Sequence, residues 1–287
     1  MRRVAAAGLL LLSACIAPAP SDHPVSPAAA PDVRGQMASI GTYVVYYGAG
    51  RLDDLARFDL AIIDPSTLTP GEVAELEGRG TLVVGYLSVG EISPNDPWIT
   101  DGTVPKSWIL GRNRNWGSLF VDAGQQGWRD LMTAETGKLL DYGFDGVFLD
   151  TVDTATDVEP TSVPGMIQLI EGLRAAYPDA LLVQNRGFEI AEQVATSIDA
   201  VMFEDLSTSY DFDTLTYLRV DNGGEADRMV ELHDRTDLPI LSLDYAPPED
   251  HETAARAVRI ARGYGFVPAV STIELDDIPD YGLGQAP

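Results

Sequence analysis

The chain has 287 residues, of which 45% are hydrophobic and 22% charged, enough apolar material for one large core. Its formal net charge is −25 and Lys106 and Lys138 are its only lysines, so a nucleic-acid partner, which requires a basic face, is excluded. One cysteine, Cys15, excludes an intrachain disulfide framework.

In chain order, Met1-Arg2-Arg3 is a short basic region, followed by "VAAAGLLLL", an apolar stretch too short to span a bilayer comfortably. Leu12-Ser13-Ala14-Cys15 has the form of a bacterial lipobox, so residues 1–15 are read as a secretory signal and Cys15 as the lipidation site. The alternative is an ordinary cleaved signal with an incidental cysteine. Residues 16–38 are rich in Pro, Ala and Ser and lack a periodic apolar face, which predicts an extended tether. At about 3 Å per residue, such a tether would hold a domain tens of ångströms from a membrane. The implied location is the bacterial cell envelope, outside the cytoplasm, with the membrane reached through a lipid anchor only, or secretion. The folded domain is expected over residues 39–287, as a monomer.

Eight β-rich apolar runs then recur: 43–48, 59–64, 81–88, 145–150, 180–185, 199–204, 239–244 and 266–271. Helical patterns separate many of them. Residues 69–80 carry a Thr cap, an early Pro and a Gly stop, while 124–143, 163–178 and 249–265 repeat apolar residues at i, i+3 and i+4. This alternation predicts an α/β fold of the (β/α)8 TIM-barrel type, as a single domain. A doubly wound open sheet is the alternative. Gly48-Ala49-Gly50 is too short for its nucleotide-binding fingerprint, and the chain has no P-loop.

The ends of these runs are polar: Asp64, Asp150, Asn185, Glu204 and Asp244, with Ser88 and Glu91 closing the third. Active sites of such barrels lie at the C-terminal strand ends. Strand side chains alternate between faces, and larger apolar residues suit the helix layer. On that basis Asp150, Glu204 and Asp244 are all expected to point inward at the rim. His23, His233 and His251 are the only histidines and none ends a strand, so a His-rich zinc site and a Ser-His-Asp triad are unsupported. Two chemistries remain. Asp64, Asp150 and Asp244 match an oxygen-ligand set for Mg²⁺ in a metal-dependent hydrolase. Asp150 and Glu204, two strands apart, match the facing carboxyl pair of a glycoside hydrolase, which needs no metal and no cofactor. A barrel that binds polysaccharide without cleaving it is the third reading. The four tryptophans fall between the third and fourth runs. Trp128 reads as core, Trp98 and Trp108 as loop anchors, and Trp116 as a platform for a sugar face.

"VVGYLSVGE" (83–91), "GFDGVFLDTVD" (143–153), "LLVQNRG" (181–187), "IDAVMFED" (198–205) and "PILSLDYA" (239–246) occur in this order. Together they resemble the endo-α-1,4-polygalactosaminidase-like family, glycoside hydrolase family 114, across about residues 40–280. The resemblance implies a TIM-barrel endo-glycosidase acting on α-1,4-linked galactosamine-containing polysaccharide, an amino-sugar polymer. It implies Asp150 as nucleophile and Glu204 as acid/base. Asp64, Tyr86, Glu91, Trp116, Asp153, Asn185, Asp244 and Tyr245 are expected to contact the substrate around that pair. The chain departs from the family pattern after Glu91, at Thr151 and at Ile273, positions that touch substrate subsites rather than the acid pair.

Overall fold

The computed structural model describes residues 32–281. Its centre is a set of parallel strands: β1 Tyr43–Tyr46, β2 Leu60–Ile63, β3 Leu82–Ser88, β4 Gly146–Asp150, β5 Leu181–Asn185, β6 Ala200–Glu204, β7 Ile240–Tyr245 and β8 Val267–Ser271. Their order in the eight-stranded sheet is their order in the chain. β8 comes back to lie beside β1, so the sheet curls into a nearly closed barrel with helices between its strands. This is the expected (β/α)8 fold, and every predicted apolar run contains a strand. The runs are almost continuously apolar because a parallel barrel strand is covered on both faces.

The helices follow their local signals. Thr69 caps Pro70–Gly78 in a reciprocal box: its Oγ1 accepts from Glu72 N at 3.3 Å, and the Glu72 carboxylate accepts from Thr69 N at 2.8 Å. Gln126–Tyr142 stops at Gly143, whose φ of 120° suits glycine. Trp128 on that helix is buried, and its indole N–H donates to Val89 O at 2.8 Å. Trp98 packs edge-on against it.

The barrel interior holds Tyr43, Val45, Leu60, Ile62, Val84, Phe148, Val183, Met202, Leu241 and Leu243. The opposite faces of the strands, with Val83, Val147, Leu149, Leu182, Val201 and Phe203, pack under the helices. Two insertions at the C-terminal end had no signal in the apolar pattern. One is a three-stranded antiparallel sheet of Glu91–Ile92, Ile109–Arg112 and Leu119–Val121, after β3. The other is a hairpin of Thr208–Asp211 and Thr216–Arg219, after β6.

The tether expected over 16–38 ends earlier than its composition implies. Val33–Met37 is a helix capped by Asp32, whose Oδ1 accepts from Gly35 N at 2.9 Å. Met37 is fully buried in the barrel interior, and Arg34 pairs with Asp199 at 2.7 Å. One apolar side chain in five residues leaves no period to read, so only the contact with the barrel identifies this helix. The signal segment with Cys15, and the rest of the tether, lie outside the described residues. Among the described residues no helix is long and apolar enough to cross a membrane.

Candidate active site

Alternation along each strand puts every second side chain inside the barrel. At the C-terminal rim the inward positions are Tyr47, Asp64, Tyr86, Asp150, Asn185, Glu204 and Tyr245, and all of them line one cavity of about 610 Å³. That volume lies within the roughly 300–1,000 Å³ of sites that hold small-molecule-sized ligands.

Asn185 joins the centre of this rim. Its Nδ2 donates to Asp150 Oδ1 at 2.8 Å and to Glu204 Oε2 at 2.9 Å. Two acceptors bonded to one nitrogen at those lengths lie no more than about 5.7 Å apart. Asp150 Oδ2 accepts from the Tyr86 hydroxyl at 2.7 Å, and Glu204 Oε1 accepts from the Tyr245 hydroxyl. Each carboxylate is therefore held by one tyrosine and by the shared amide. Burial, reinforced by the neighbouring carboxylates, raises Tyr47, Tyr86 and Tyr245 well above the ordinary phenol value. They remain protonated at any working pH, and the hydroxyls of Tyr86 and Tyr245 remain donors to the pair.

The backbone doubles the polar rim. Thr151, Arg186 and Asp205 have φ of 62°, 53° and 64°, each directly after an inward strand-end residue. A left-handed residue breaks strand alternation, so in these three strands both the last inward residue and its successor line the cavity. The strain costs about 1–2 kcal/mol per residue. The turn after Asp150 lies tight against the loop after β3. A Cβ on Gly90 would sit 2.2 Å from Thr151 O, and Gly90 N donates to Thr151 Oγ1 at 2.8 Å.

Arg186 lies between two acids, 2.9 Å from Asp153 and 3.6 Å from Asp205. Burial pushes Asp153 up to about 6, against the pull of Arg186. Burial, and then the charge of Glu204, push Asp205 up to about 7. Among the described residues lining the cavity are seven carboxylates and one arginine.

The other expected residues divide. Asp64 lines the cavity, while its Oδ1 also accepts from Ser66 N at 2.9 Å and so shapes its own turn. Trp116 lines the outer edge and is 62% exposed. Glu91 lines the cavity, but both its oxygens are engaged, by Asn113 Nδ2 at 3.0 Å and by Ser118 Oγ.

Asp244 does not face the cavity. Leu243 is the register partner of Glu204 and Leu241 that of Met202. Neighbours in register share a face, so an inward Glu204 forces Leu241, Leu243 and Tyr245 inward and Asp244 outward. The size rule failed here because bulky branched residues also fill barrel interiors. Asp244 Oδ1 instead accepts from Ser207 N and Thr208 N, each at 2.7 Å, and from Thr208 Oγ1 at 3.0 Å. It anchors the start of the hairpin. Asp64, Asp150 and Asp244 consequently do not converge, and among the described residues no group of three or more His, Cys, Asp or Glu is arranged to hold a metal ion.

The apolar pattern gave no warning of Arg186, Tyr210 and Phe212 as cavity residues, and strand parity put Asp205, near the rim, on the outer face. Tyr47 was legible by parity, two residues beyond Val45. Arg186 and Asp205 depend on the left-handed turns, and Tyr210 and Phe212 on the hairpin.

Residues 25–285 match the profile described as glycoside-hydrolase family GH114. A protein of Deinococcus radiodurans is 25% identical, over 94% of this chain and 96% of its own length. The structure of the glycoside hydrolase domain of PelA from Pseudomonas aeruginosa superposes with a TM-score of 0.76 at 26% identity, covering 84% of this chain and 98% of that one. Aspergillus fumigatus Ega3, solved in complex with galactosamine, shares the fold with a TM-score of 0.66 at 16% identity, covering 83% and 94%.

Proposed function

The chain belongs to glycoside-hydrolase family GH114 and carries its glycoside-hydrolase fold, and we propose that it cleaves an α-1,4-linked galactosamine-containing polysaccharide internally, by double displacement at Asp150 and Glu204. The observation that carries this reading is the single amide nitrogen of Asn185 bonded to both carboxylates. It keeps one oxygen of each carboxylate within about 5.7 Å of the other, a close approach that favours the retaining arrangement, with carboxyl groups roughly 5–5.5 Å apart, over the wider inverting one.

In this mechanism a carboxylate oxygen of Asp150 attacks the anomeric carbon while Glu204 delivers a proton to the departing glycosidic oxygen. A glycosyl ester forms on Asp150. Glu204 then takes a proton from water as the water attacks the same carbon, releasing the sugar with its configuration retained. Tyr86 and Tyr245 hold the two carboxylates in place through both steps.

The amino-sugar assignment rests on charge. Seven carboxylates against one arginine is well beyond the two that hydrolysis requires. A neutral sugar would leave them poorly compensated, whereas protonated amines pair with them. Ega3, a protein of the same fold, is solved with galactosamine bound. The lipobox at Cys15 supports placement outside the cytoplasm on a lipid anchor, and Cys15→Ser should release the protein from the membrane fraction.

The test is incubation with a panel of polysaccharides that includes partly and fully deacetylated galactosamine polymers, followed by mass analysis and anomeric assignment of the products. Internal cleavage of the galactosamine polymers with retention is expected. Long-range attraction weakens as the Debye length contracts from about 10 Å at 0.1 M salt to about 3 Å at 1 M. KM should therefore rise with salt on the deacetylated polymer and change little on the acetylated one. Cleavage confined to neutral polymers, insensitive to salt, would refute the amino-sugar assignment.

A further inference from the structure

Glu91 with both oxygens, and Asp244 with its Oδ1, hold two loops that come from distant parts of the chain and meet over the same cavity. Glu91 binds Asn113 and Ser118, which flank a tight tip closed by Gly117 N donating to Asn113 O at 2.9 Å and Asn113 N to Ser118 O at 3.0 Å. Trp116 stands on that tip. Asp244 holds Ser207 and Thr208, and Tyr245 N adds a bond to Thr208 Oγ1 at 2.8 Å, fixing the root of the hairpin. On the hairpin, Tyr210 faces Tyr217 across the strands at 5.0 Å between ring centroids, and Phe212 follows at 5.1 Å from Tyr210. Phe212 then meets Trp116 edge-on, at 4.8 Å and 70°. Trp116, Tyr210 and Phe212 line the cavity that also contains Asp150 and Glu204.

This arrangement has a chemical consequence. Trp116 remains the most exposed of the tryptophans even after its contact with Phe212. An aromatic face left open beside a reactive cleft suits a ring with an apolar C–H face and a polar edge, which describes a pyranose. A protonated amine on that ring adds attraction to the aromatic face. The two loops are anchored independently, so the rings are held in position before any ligand arrives.

We infer that Trp116, Phe212 and Tyr210 form a distal subsite that binds a hexosamine ring of the polymer beyond the two rings being separated, and that Glu91 and Asp244 serve as positioning residues for it. The inference rests on the polysaccharide reading above and names a part of the site which that reading leaves open. It makes affinity depend on chain length.

The experiment is calorimetric titration of the Glu204→Gln protein with α-1,4-linked galactosamine oligomers from dimer to hexamer. Affinity should step up by about tenfold at the length that reaches the aromatic pair. Adding Phe212→Ala or Trp116→Ala should abolish the step and leave the affinity of the shorter oligomers as it was. Phe212→Tyr, which keeps the ring, should preserve the step. A step of undiminished size in Phe212→Ala, or no step in the parent protein, overturns the subsite. Failure of every oligomer to bind the parent protein overturns the galactosamine reading itself, and the subsite with it.

Discussion

Replacing Asp205 with asparagine should stabilise the protein by an amount that grows from about pH 4 and levels off above about pH 7. Asp205 is the residue after Glu204, turned toward the cavity by a φ of 64°. Asparagine tolerates that backbone as well as aspartate does and keeps the shape, so the change removes a charge and little else. Burial and the charge of Glu204 hold the carboxyl at about 7, against 3.8 for an ordinary aspartate. A shift of about three units corresponds to about 4 kcal/mol. The side chain is 24% exposed to solvent, which makes that figure a ceiling. The sign follows from proton uptake. Between about pH 4 and pH 7 the folded protein holds this proton and the unfolded chain does not, so the contribution is fully present below about pH 4 and is lost as pH rises through about 7. Asparagine does not titrate. Arg186 loses a partner at 3.6 Å but keeps Asp153 at 2.9 Å. The assay is urea unfolding of wild type and variant at pH 5 and pH 8. About one unit of that shift is already expressed at pH 5, so the variant should gain up to about 3 kcal/mol more, relative to wild type, at pH 8 than at pH 5. Titrations of groups that do not interact with Asp205 cancel in that double difference. An equal difference at both pH values, or a variant that is relatively weaker at pH 8, would show that burial beside Glu204 does not hold Asp205 protonated.

Asp150→Asn and Glu204→Gln should each lower kcat by at least about a thousandfold with the melting temperature nearly unchanged, and turnover close to wild type in either would remove that residue from the chemistry. Asn185→Ala removes two hydrogen bonds to charged groups at once. It should lower kcat by about a hundredfold, and a loss below about threefold in steady-state kinetics would count against the bridging role. Asp244→Ala leaves the buried N–H groups of Ser207 and Thr208 without their acceptor and should cost about 2–5 kcal/mol, read from denaturant midpoints, together with faster proteolysis in residues 207–219. Wild-type resistance to both would mean that the hairpin is held by other contacts.

The eight strands, the capped helices and the two carboxylates that face each other at the rim, Asp150 and Glu204, were legible in the residue order. A parallel barrel strand must be apolar on both faces, and a carboxylate closing such a run stands out against it. In β4 and β6 the acid's parity was read correctly: Phe148 and Met202 lie inside below Asp150 and Glu204. β7 shows where this stops. Ile240, Leu241 and Leu243 put bulky apolar groups on both faces, so side-chain size does not distinguish inside from outside. Pairing with β6 does, and it turns Asp244 out to the hairpin and brings Tyr245 in to Glu204. The same limit applies to Arg186 and Asp205, which reach the cavity only through left-handed turns, and to Trp116 and Phe212, which meet across nearly a hundred residues. Local composition determines which segments become strands and which acids end them. Which way each acid points is a property of the neighbour it pairs with, and the assembled barrel decided that.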